Sequence, residues 1–384
     1  MSDDRSAIAA ATAASLRDHA ARIRAEKALI GFDGFVDSII RVVDKRHDLD
    51  HYDALPTIRA FGEKILAAAG KSANFELVTT ARKLGGNGPI MANAMRAAGI
   101  GVTYIGALGE KAIDPVFAEL ADGCDEVVSL CDPGLTDAVE FDDGKLMLGK
   151  HASIRNINAP RLLEAADAER LLAIVTRSRL IAAVNWTMLV ELESIWRLLA
   201  EEVLPDADPL PDGGRRLVFF DYCDPSKRTD ADTARAMRWA TRFQQHADAV
   251  IGLNLAEGVQ AMRVLGLGVP DDPEASIESM ATAIREHLKV HAVVVHPRAG
   301  AAACVEGEAP ATFAGPFTSK PKLSTGAGDN FNAGFCLGCL LGLPVEQRLC
   351  VGTATSGYYV RNAASPTLEQ LIAFIDELPP PKGE

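Results

Sequence analysis

The sequence predicts an α/β protein, a three-layer α/β/α sandwich with a central, mostly parallel sheet and a small β-sheet lid. Uninterrupted apolar runs of four or five residues alternate with longer segments of helical periodicity. This alternation is typical of parallel strands that are covered by helices on both faces. Of the 384 residues, 48% are hydrophobic, which is enough to build an extensive core. Two extended segments that interrupt the alternation predict the lid.

The central sheet is predicted from the apolar runs in chain order. Strands are expected at residues 28–32, 102–105, 180–184, 217–220, 249–253 and 292–295. Helices are expected at 7–25, 91–98, 161–176, 189–203, 231–246, 256–265 and 277–289, and then at 329–341, 345–361 and 368–378. Because parallel neighbours need long crossover connections, the strand–helix order indicates a parallel sheet.

Two segments do not fit this order and predict the lid. Residues 138–141 and 145–148 indicate a β-hairpin that turns at Asp143-Gly144, and residues 36–43 form a second extended stretch. We expect them to form a small sheet over the carboxyl ends of the central strands, where α/β proteins bind ligands. The predicted boundaries are 1–33, 51–135 and 156–384 for the large domain, and 34–50 with 136–155 for the lid. The alternative is an ordinary surface hairpin.

Composition and charge exclude several classes of protein. With 48% hydrophobic and 24% charged residues, the chain is neither intrinsically disordered nor collagen-like. The net charge of −13 opposes the approach of polyanions, so we expect neither nucleic acid nor a membrane as a partner. The seven cysteines are odd in number and scattered. Together with the lack of a basic targeting segment, they predict a cytoplasmic protein with reduced thiols.

A glycine-rich turn before an apolar helix is the strongest chemical signal. In Gly326-Ala327-Gly328-Asp329, the turn leads directly into the predicted helix at 329–341. The free backbone N–H groups and the dipole of a helix N-terminus make an anion site, which suits a transferring phosphoryl group. In the first helical turn, the Asp329 carboxylate is positioned to accept a proton from a substrate hydroxyl. The alternative is an ordinary helix that carries Asp in its first turn.

Two further segments extend this signal to a family. Gly85-Gly86-Asn87-Gly88 precedes a predicted helix, and Asn254-Leu255-Ala256-Glu257 follows a predicted strand. Together with Gly326-Ala327-Gly328-Asp329, the three motifs resemble, in order and spacing, those of the PfkB carbohydrate kinases, the ribokinase-like family. The resemblance covers residues 28 to 365. It implies a ribokinase-like fold and a phosphotransferase that moves the γ-phosphoryl group of ATP to a hydroxyl group of a sugar or sugar-like substrate.

The resemblance assigns the transfer machinery to the last motif. It implies that Asp329 is the general base that activates the acceptor hydroxyl. It also implies that Gly326, Ala327 and Gly328 form the anion hole around the transferring group. These roles agree with the chemistry, because phosphoryl transfer needs positioning, charge neutralisation and a base.

The resemblance assigns the cofactors ATP and Mg²⁺ to a second set of residues. Asn254 and Glu257 are similar to the residues that organise Mg²⁺ and its waters around the ATP phosphates, with Glu257 reaching the metal through water. Thr353 lies where the family places a contact to the nucleotide base. Few protein ligands are needed, because Mg²⁺ usually keeps several waters.

The sugar site is expected beside the first strand. Gly31-Phe32-Asp33-Gly34-Phe35-Val36-Asp37 resembles the family's element in which a carboxylate binds sugar hydroxyls. Asp37 is the first choice for this carboxylate and Asp33 the second. Gly86 and Asn87 are expected to line the same pocket. A carboxylate and an amide can hold vicinal hydroxyls by matched hydrogen bonds, which favours discrimination among sugars.

Several residues depart from the ribokinase pattern and leave the sugar open. Ile90 stands where ribokinases carry a sugar-contacting Asn, and Asn185 lies where they have a Glu that touches the sugar. Leu323 replaces an Asp of the signature, and the nucleotide loop at 295–300 lacks its first Gly. In addition, residues 50–75 form a longer connection than is usual before the Gly-Gly motif.

Other functions remain open from the sequence. The same motifs would suit a nucleoside kinase. The departures would suit a catalytically silent protein of the same fold that binds a sugar or a nucleotide. A nucleotide-dependent enzyme of a neighbouring α/β class is a third alternative. An exposed β flap also favours a homodimer that forms through the lid.

Overall fold

The apolar runs form strands of two separate sheets. The computed structural model describes residues 2–381 and the side chains of residues 4–381. The strands, in chain order, are β1 (Lys27–Gly31), β2 (Phe35–Arg46), β3 (Tyr52–Ala54), β4 (Leu77–Gly85), β5 (Gly101–Gly106), β6 (Glu126–Ser129), β7 (Gly134–Phe141), β8 (Gly144–Lys150), β9 (Leu180–Val184), β10 (Leu217–Asp221), β11 (Asp248–Leu253), β12 (Ala292–Val295), β13 (Gly300–Val305) and β14 (Ala311–Ala314).

Helices connect most of the strands of the larger sheet. They are α1 (Ser2–Asp18), α2 (Ala20–Ala25), α3 (Ile58–Ala67), α4 (Asn87–Ala97), α5 (Ala118–Gly123), α6 (Ala159–Ala165), α7 (Ala168–Arg177), α8 (Leu192–Leu198), α9 (Leu204–Asp206), α10 (Asp230–Phe243), α11 (Leu255–Val264), α12 (Ile277–Leu288), α13 (Ala327–Leu340), α14 (Val345–Asn362) and α15 (Leu368–Asp376). A π-helical segment, Leu199–Val203, joins α8 to α9. No helix within residues 2–381 is long and apolar enough to cross a membrane.

The larger sheet is mostly parallel. Within the described residues it has nine strands in the order β14-β13-β12-β11-β10-β9-β1-β5-β6. The strands from β12 to β6 in this order run parallel, and β13 and β14 add an antiparallel edge. The carboxyl ends of the parallel strands therefore lie at one edge of the sheet, where the candidate motifs follow β1, β9, β10 and β11.

Two hydrophobic cores lie on opposite faces of this sheet. Alternate residues of β1 contribute to each of them: Leu29 to one core, and Ala28 and Ile30 to the other. Helices α6–α12 cover the first face, with side chains such as Trp196. Helices α1, α2, α4, α5 and α13–α15 cover the second, with side chains such as Phe335. Burial on both faces explains why these strands are apolar throughout.

The smaller sheet forms the predicted lid and is larger than the sequence indicates. Strand β2 pairs with β7, and β7 with β8, as the predicted hairpin requires. Strands β3 and β4 also pair with β2, although the predicted boundaries assign their residues, 51–135, to the large domain. Helix α3 packs against this sheet through a third, smaller core in which Phe61 meets Ile40, Val139 and Phe141.

The predicted central strands are all present, and their ends differ by at most one residue. Some helices are divided where a polar side chain starts a new one. The segment predicted as one helix at 161–176 breaks before α7, because Asp167 caps α7 by accepting a hydrogen bond from the N–H of Arg170. Strand β4 is not predicted, because most of its residues are solvent-exposed and several are polar, and β6 is not predicted because it has only four residues, of which one is buried.

Candidate active site

The glycine-rich turn forms the amino end of α13. Gly326 has a φ of 89° and precedes the helix, a conformation that favours glycine. A side chain at this position would lie 2.8 Å from the Tyr359 hydroxyl and 3.1 Å from Ile90. Ala327 and Asp329 follow in the first turn, and the Asp329 side chain is buried. The turn therefore presents helix N–H groups and one carboxylate to the same space.

Asn87 links the start of a second helix to Asp329. The side-chain N–H of Asn87 donates a hydrogen bond of 2.8 Å to Oδ1 of Asp329. Asn87 is the first residue of α4, and it follows Gly86, whose φ is 99°. A side chain at Gly86 would meet the Asp33 carboxylate at 2.9 Å. The amino ends of α4 and α13 thus face each other across the Asn87–Asp329 contact.

Asp33 lies beneath this contact and is fully buried. Its carboxylate accepts hydrogen bonds from the backbone N–H groups of Asn87 (2.9 Å) and Gly88 (2.8 Å), and from the side chain of Asn185 (2.6 Å). Burial raises the pKa of Asp33 to about 6. Asp33 is the second candidate for the carboxylate that binds the sugar. Three protein donors already form hydrogen bonds with its oxygens, which disfavours this role.

Asp37 lies on the small sheet, on the other side of the glycine turn. A side chain at Gly85 would lie 2.6 Å from the Asp37 carboxylate, so the two residues are in close contact. The Thr136 hydroxyl donates a hydrogen bond to Asp37, while burial raises the pKa of this carboxyl. Gly85 and Asn87 are two residues apart, which limits their Cα separation to about 7 Å. Asp37 and Asp329 therefore flank the same short turn.

The Asn-x-x-Glu motif forms a capping box at the start of α11. The side chain of Asn254 accepts from the N–H of Glu257 at 3.0 Å, and the Glu257 carboxylate accepts from the N–H of Asn254 at 2.8 Å. The other oxygen of Glu257 accepts from the N–H of Asp224 at 2.8 Å. Glu257 thus ties the turn after β10 to the turn after β11, and both of its carboxylate oxygens accept hydrogen bonds from backbone N–H groups.

These turns enclose a cleft of about 850 Å³. Of the predicted site residues, the cleft is lined by Asn87, Asn254, Glu257, Ala327, Gly328, Asp329 and Thr353. Asp33, Asp37, Gly86 and Gly326 are not on its wall but lie behind or beside the lining residues. The hydroxyl of Thr353 donates to the Leu349 carbonyl at 2.9 Å, within its own helix, so mainly its methyl group is left for a ligand.

Buried carboxyl groups concentrate around the cleft. Burial raises the pKa of Asp329 to about 8; the charges of Asp33 and Glu257 add to this rise, and the hydrogen bond from Asn87 opposes it. Asp221, at the end of β10, has a pKa well above its ordinary value because it is buried near Glu257 and Asp329. The unliganded site therefore favours protons or cations.

The cleft includes residues that the sequence did not assign to the site. Asp221 accepts a 2.9 Å hydrogen bond from the side chain of Asn332 on α13. His296 stacks on Phe331 with ring centroids 4.3 Å apart, and burial lowers its pKa to about 4. Asp221 begins the segment 221–228, whose sequence suits either a turn near the substrate or phosphate or a purely structural turn. His296 could have been found from the unusual loop at 295–300, whereas Asn332 carries no such signal.

Known proteins include relatives that match most of this chain. A model of the prokaryotic ketohexokinase family matches residues 3–378. A ketohexokinase from Haloferax volcanii is 30% identical over 355 residues, which are 92% of each chain.

Solved structures show the same fold at low sequence identity. The ribokinase of Arabidopsis thaliana, solved with ribose and ATP, has a TM-score of 0.62 and 17% identity over 91% of this chain and 98% of its own. A PfkB protein from Polaromonas has a TM-score of 0.60 and 20% identity over 91% and 99%. The predicted ribokinase-like fold is therefore confirmed. The chain belongs to the prokaryotic ketohexokinase family, a PfkB-type family, and is an ATP-dependent sugar kinase.

Proposed function

We propose that the protein transfers the γ-phosphoryl group of ATP to a hydroxyl group of a ketohexose, with Asp329 as the general base. The Haloferax volcanii relative, named a ketohexokinase, supports a ketohexose as the acceptor. The observation that carries the proposal is the buried Asp329 carboxylate at the amino end of α13, 2.8 Å from Asn87 on the wall of the cleft. A hydroxyl group bound there meets both a base and the N–H groups of a helix.

Each part of the glycine turn has a task in this reaction. Asp329 takes the proton of the acceptor hydroxyl. The hydroxyl oxygen then bonds to the γ-phosphorus, while the bond between the γ-phosphorus and the β–γ bridging oxygen breaks and ADP leaves. A carboxyl group with a pKa of about 8 is a stronger base when ionised than an exposed one. The backbone of Gly326, Ala327 and Gly328 stabilises the charge that develops on the transferring group.

The acceptor is held between the turn and the small sheet. Asp37 accepts hydrogen bonds from sugar hydroxyls, and Gly86, which has no side chain and so lets Asp33 lie against the turn, keeps the backbone beside the sugar. Asn87 offers its side-chain carbonyl oxygen while its N–H group holds Asp329. The small sheet, as the lid domain, covers the bound sugar and excludes water from the transfer.

ATP and Mg²⁺ fit the opposite side of the cleft. The wall there offers hard oxygen donors, and a cation would stabilise the ionised form of Asp221, whose pKa is raised by burial and by the charges of Glu257 and Asp329. Within residues 4–381, no group of three or more His, Cys, Asp or Glu side chains is arranged to hold a metal. Water and the ATP phosphates would supply the other ligands, with Glu257 reaching the ion through water and Asn254 beside it. When bound, Mg²⁺ neutralises phosphate charge. Thr353 would contact the nucleotide base.

The cell compartment and the assembly are part of the proposal. All seven cysteines are free thiols, which supports a reducing cytoplasm. A homodimer through the lid stays a prediction. Helix α3 already covers part of one face of the small sheet, but Leu135 and Leu148 on the sheet are 42% and 51% exposed. The sedimentation mass in solution tests it.

Replacing the proposed base tests the function. Asp329→Asn is expected to lower kcat by about 10²- to 10⁴-fold, because an amide cannot take the proton. Asp232→Asn is the matched control, since Asp232 is also the third residue of a helix, α10, but is half-buried and lies outside the cleft. ADP release is measured with MgATP and a panel of ketohexoses, aldoses and nucleosides. A normal rate in Asp329→Asn would show that Asp329 is not the general base. Turnover confined to aldoses or nucleosides would overturn the proposed acceptor class.

A further inference from the structure

Asp33 is a buried carboxylate that the proposed reaction does not use. It lies in the turn after β1, and its side chain has no exposed surface. A buried carboxylate is costly unless its oxygens accept hydrogen bonds. Two of its three donors are the backbone N–H groups of Asn87 and Gly88, which begin α4, and the third is the side chain of Asn185 after β9.

These contacts connect Asp33 to the proposed base through one residue. Asp33 holds the backbone of Asn87 at 2.9 Å, and the side chain of Asn87 reaches Asp329 at 2.8 Å. We propose that Asp33 is a positioning residue: it fixes the start of α4 so that the Asn87 amide meets the Asp329 carboxylate. This inference rests on the proposed role of Asp329 as the base.

A carboxylate suits this position better than its amide. Oδ1 of Asp33 accepts from Gly88, and Oδ2 accepts from both Asn87 and Asn185. An Asn side chain would have one acceptor oxygen, and its NH₂ group would face N–H donors. The negative charge also interacts favourably with the amino end of α4. Asp33→Asn should therefore release the turn without changing the volume of the side chain.

The position of Asn87 has a measurable consequence for Asp329. The ionisable groups that influence Asp329 or are influenced by it are Asp33, Asp221, Cys223, Glu257 and Tyr359. The hydrogen bond from Asn87 lowers the pKa of Asp329, and the charge of Asp33 raises it by a smaller effect. Losing only the charge would lower this pKa, whereas losing the Asn87 contact would raise it. The two roles of Asp33 therefore predict shifts of opposite sign.

The test is the pH dependence of kcat/KM for the sugar at saturating MgATP. Activity requires ionised Asp329, so it falls as the pH drops below the pKa of Asp329. In Asp33→Asn we expect this acidic limb to move to higher pH and kcat to fall by up to about 100-fold, because the base is misplaced. Asn87→Ala should move the limb in the same direction. In the Asn87→Ala background, Asp33→Asn should move it to lower pH, because only the charge effect remains.

Two further variants keep the test decisive. Tyr104→Phe removes a 2.7 Å hydrogen bond to the backbone carbonyl of Asp33 and should leave the limb in place, which controls for a general loss of stability. Asn185→Ala keeps the carboxylate but removes one donor, so it should shift the limb in the same direction by less. It replaces Asp33→Asn if that variant does not fold.

The outcomes separate this inference from the proposed function. An acidic limb that stays in place or moves to lower pH in Asp33→Asn, or in Asn185→Ala if that variant is used instead, overturns the positioning role. The function then stands if Asp329→Asn remains inactive. A normal rate in Asp329→Asn instead overturns the role of Asp329 as the general base, whatever the Asp33 variants show.

Discussion

The two sides of the cleft are built in different ways. The proposed phosphate wall, residues 254–257 and 326–329, consists of two helix starts, the first of which is held by the local Asn254–Glu257 capping box. The proposed acceptor wall, residues 33–37 and 85–88, reaches the cleft through Asn87 and is assembled from separate segments of the large sheet, the small sheet and α4. The first wall depends on the geometry of single turns and the second on contacts between distant parts of the chain. Apart from the Asn87–Asp329 contact, which joins the walls, a substitution in one wall should therefore alter mainly the KM for one substrate.

The largest difference between the effects on the sugar and on ATP is expected from Asp37→Asn on the acceptor wall. An amide at this position loses an ionised acceptor, and a hydrogen bond to a charged group contributes about 1.5–3 kcal/mol. We expect kcat/KM for the sugar to fall by about 10- to 100-fold while KM for ATP stays unchanged. Ser38→Ala is the control, because Ser38 is the next residue on β2 and points to the opposite face of the sheet. An equal rise in both KM values would contradict the separation of the walls.

The same difference explains which parts of the site could be predicted. Gly326–Asp329 and Asn254–Glu257 are contiguous, so their local sequence predicts two helix starts, and the family resemblance then implies their roles. Asp33 and Asp37 could only be ranked, because the roles of two carboxylates on either side of one turn depend on which face each strand presents. The structure places Asp33 beneath α4 and Asp37 on the small sheet.

The strands of the fold also differ in how well the sequence predicts them. The central strands are buried on both faces and were predicted almost to the residue, because short continuous apolar runs between helical segments are typical of such strands. Strand β4 is exposed over most of its length, so its sequence of Thr, Arg and Lys carries no core pattern. Its place in the sheet follows from pairing with β2, a long-range contact that local periodicity does not report. The small sheet was therefore predicted, but with fewer strands than the structure has.

A smaller effect is expected when the support of the lid is weakened. Phe61 on α3 contacts the rings of Phe75 and Phe141, with centroids 5.3 Å and 5.6 Å away. Phe61→Ala should cost about 2 kcal/mol locally, less than for a fully buried Phe. KM for the sugar should rise by as much as about tenfold, because a small sheet that is partly unfolded binds the acceptor less well. Leu66→Ala is the control on the same helix, where the side chain is 76% exposed. Unchanged hydrogen exchange in the small sheet would contradict this account.

The smallest effect is expected on the phosphate wall, from Asn254→Ala. The substitution removes one half of a capping box, which costs about 1 kcal/mol. Because the same turn faces the proposed nucleotide site, KM for ATP should rise by about fivefold, and KM for the sugar should not change. Thr367→Ala is a close control, since it removes the same kind of capping box from α15, away from the cleft. Both variants should lose similar free energy of unfolding, and only Asn254→Ala should change KM for ATP. If the two variants have the same kinetic constants, the Asn-x-x-Glu motif serves α11 alone and the phosphate wall reduces to the turn before Asp329.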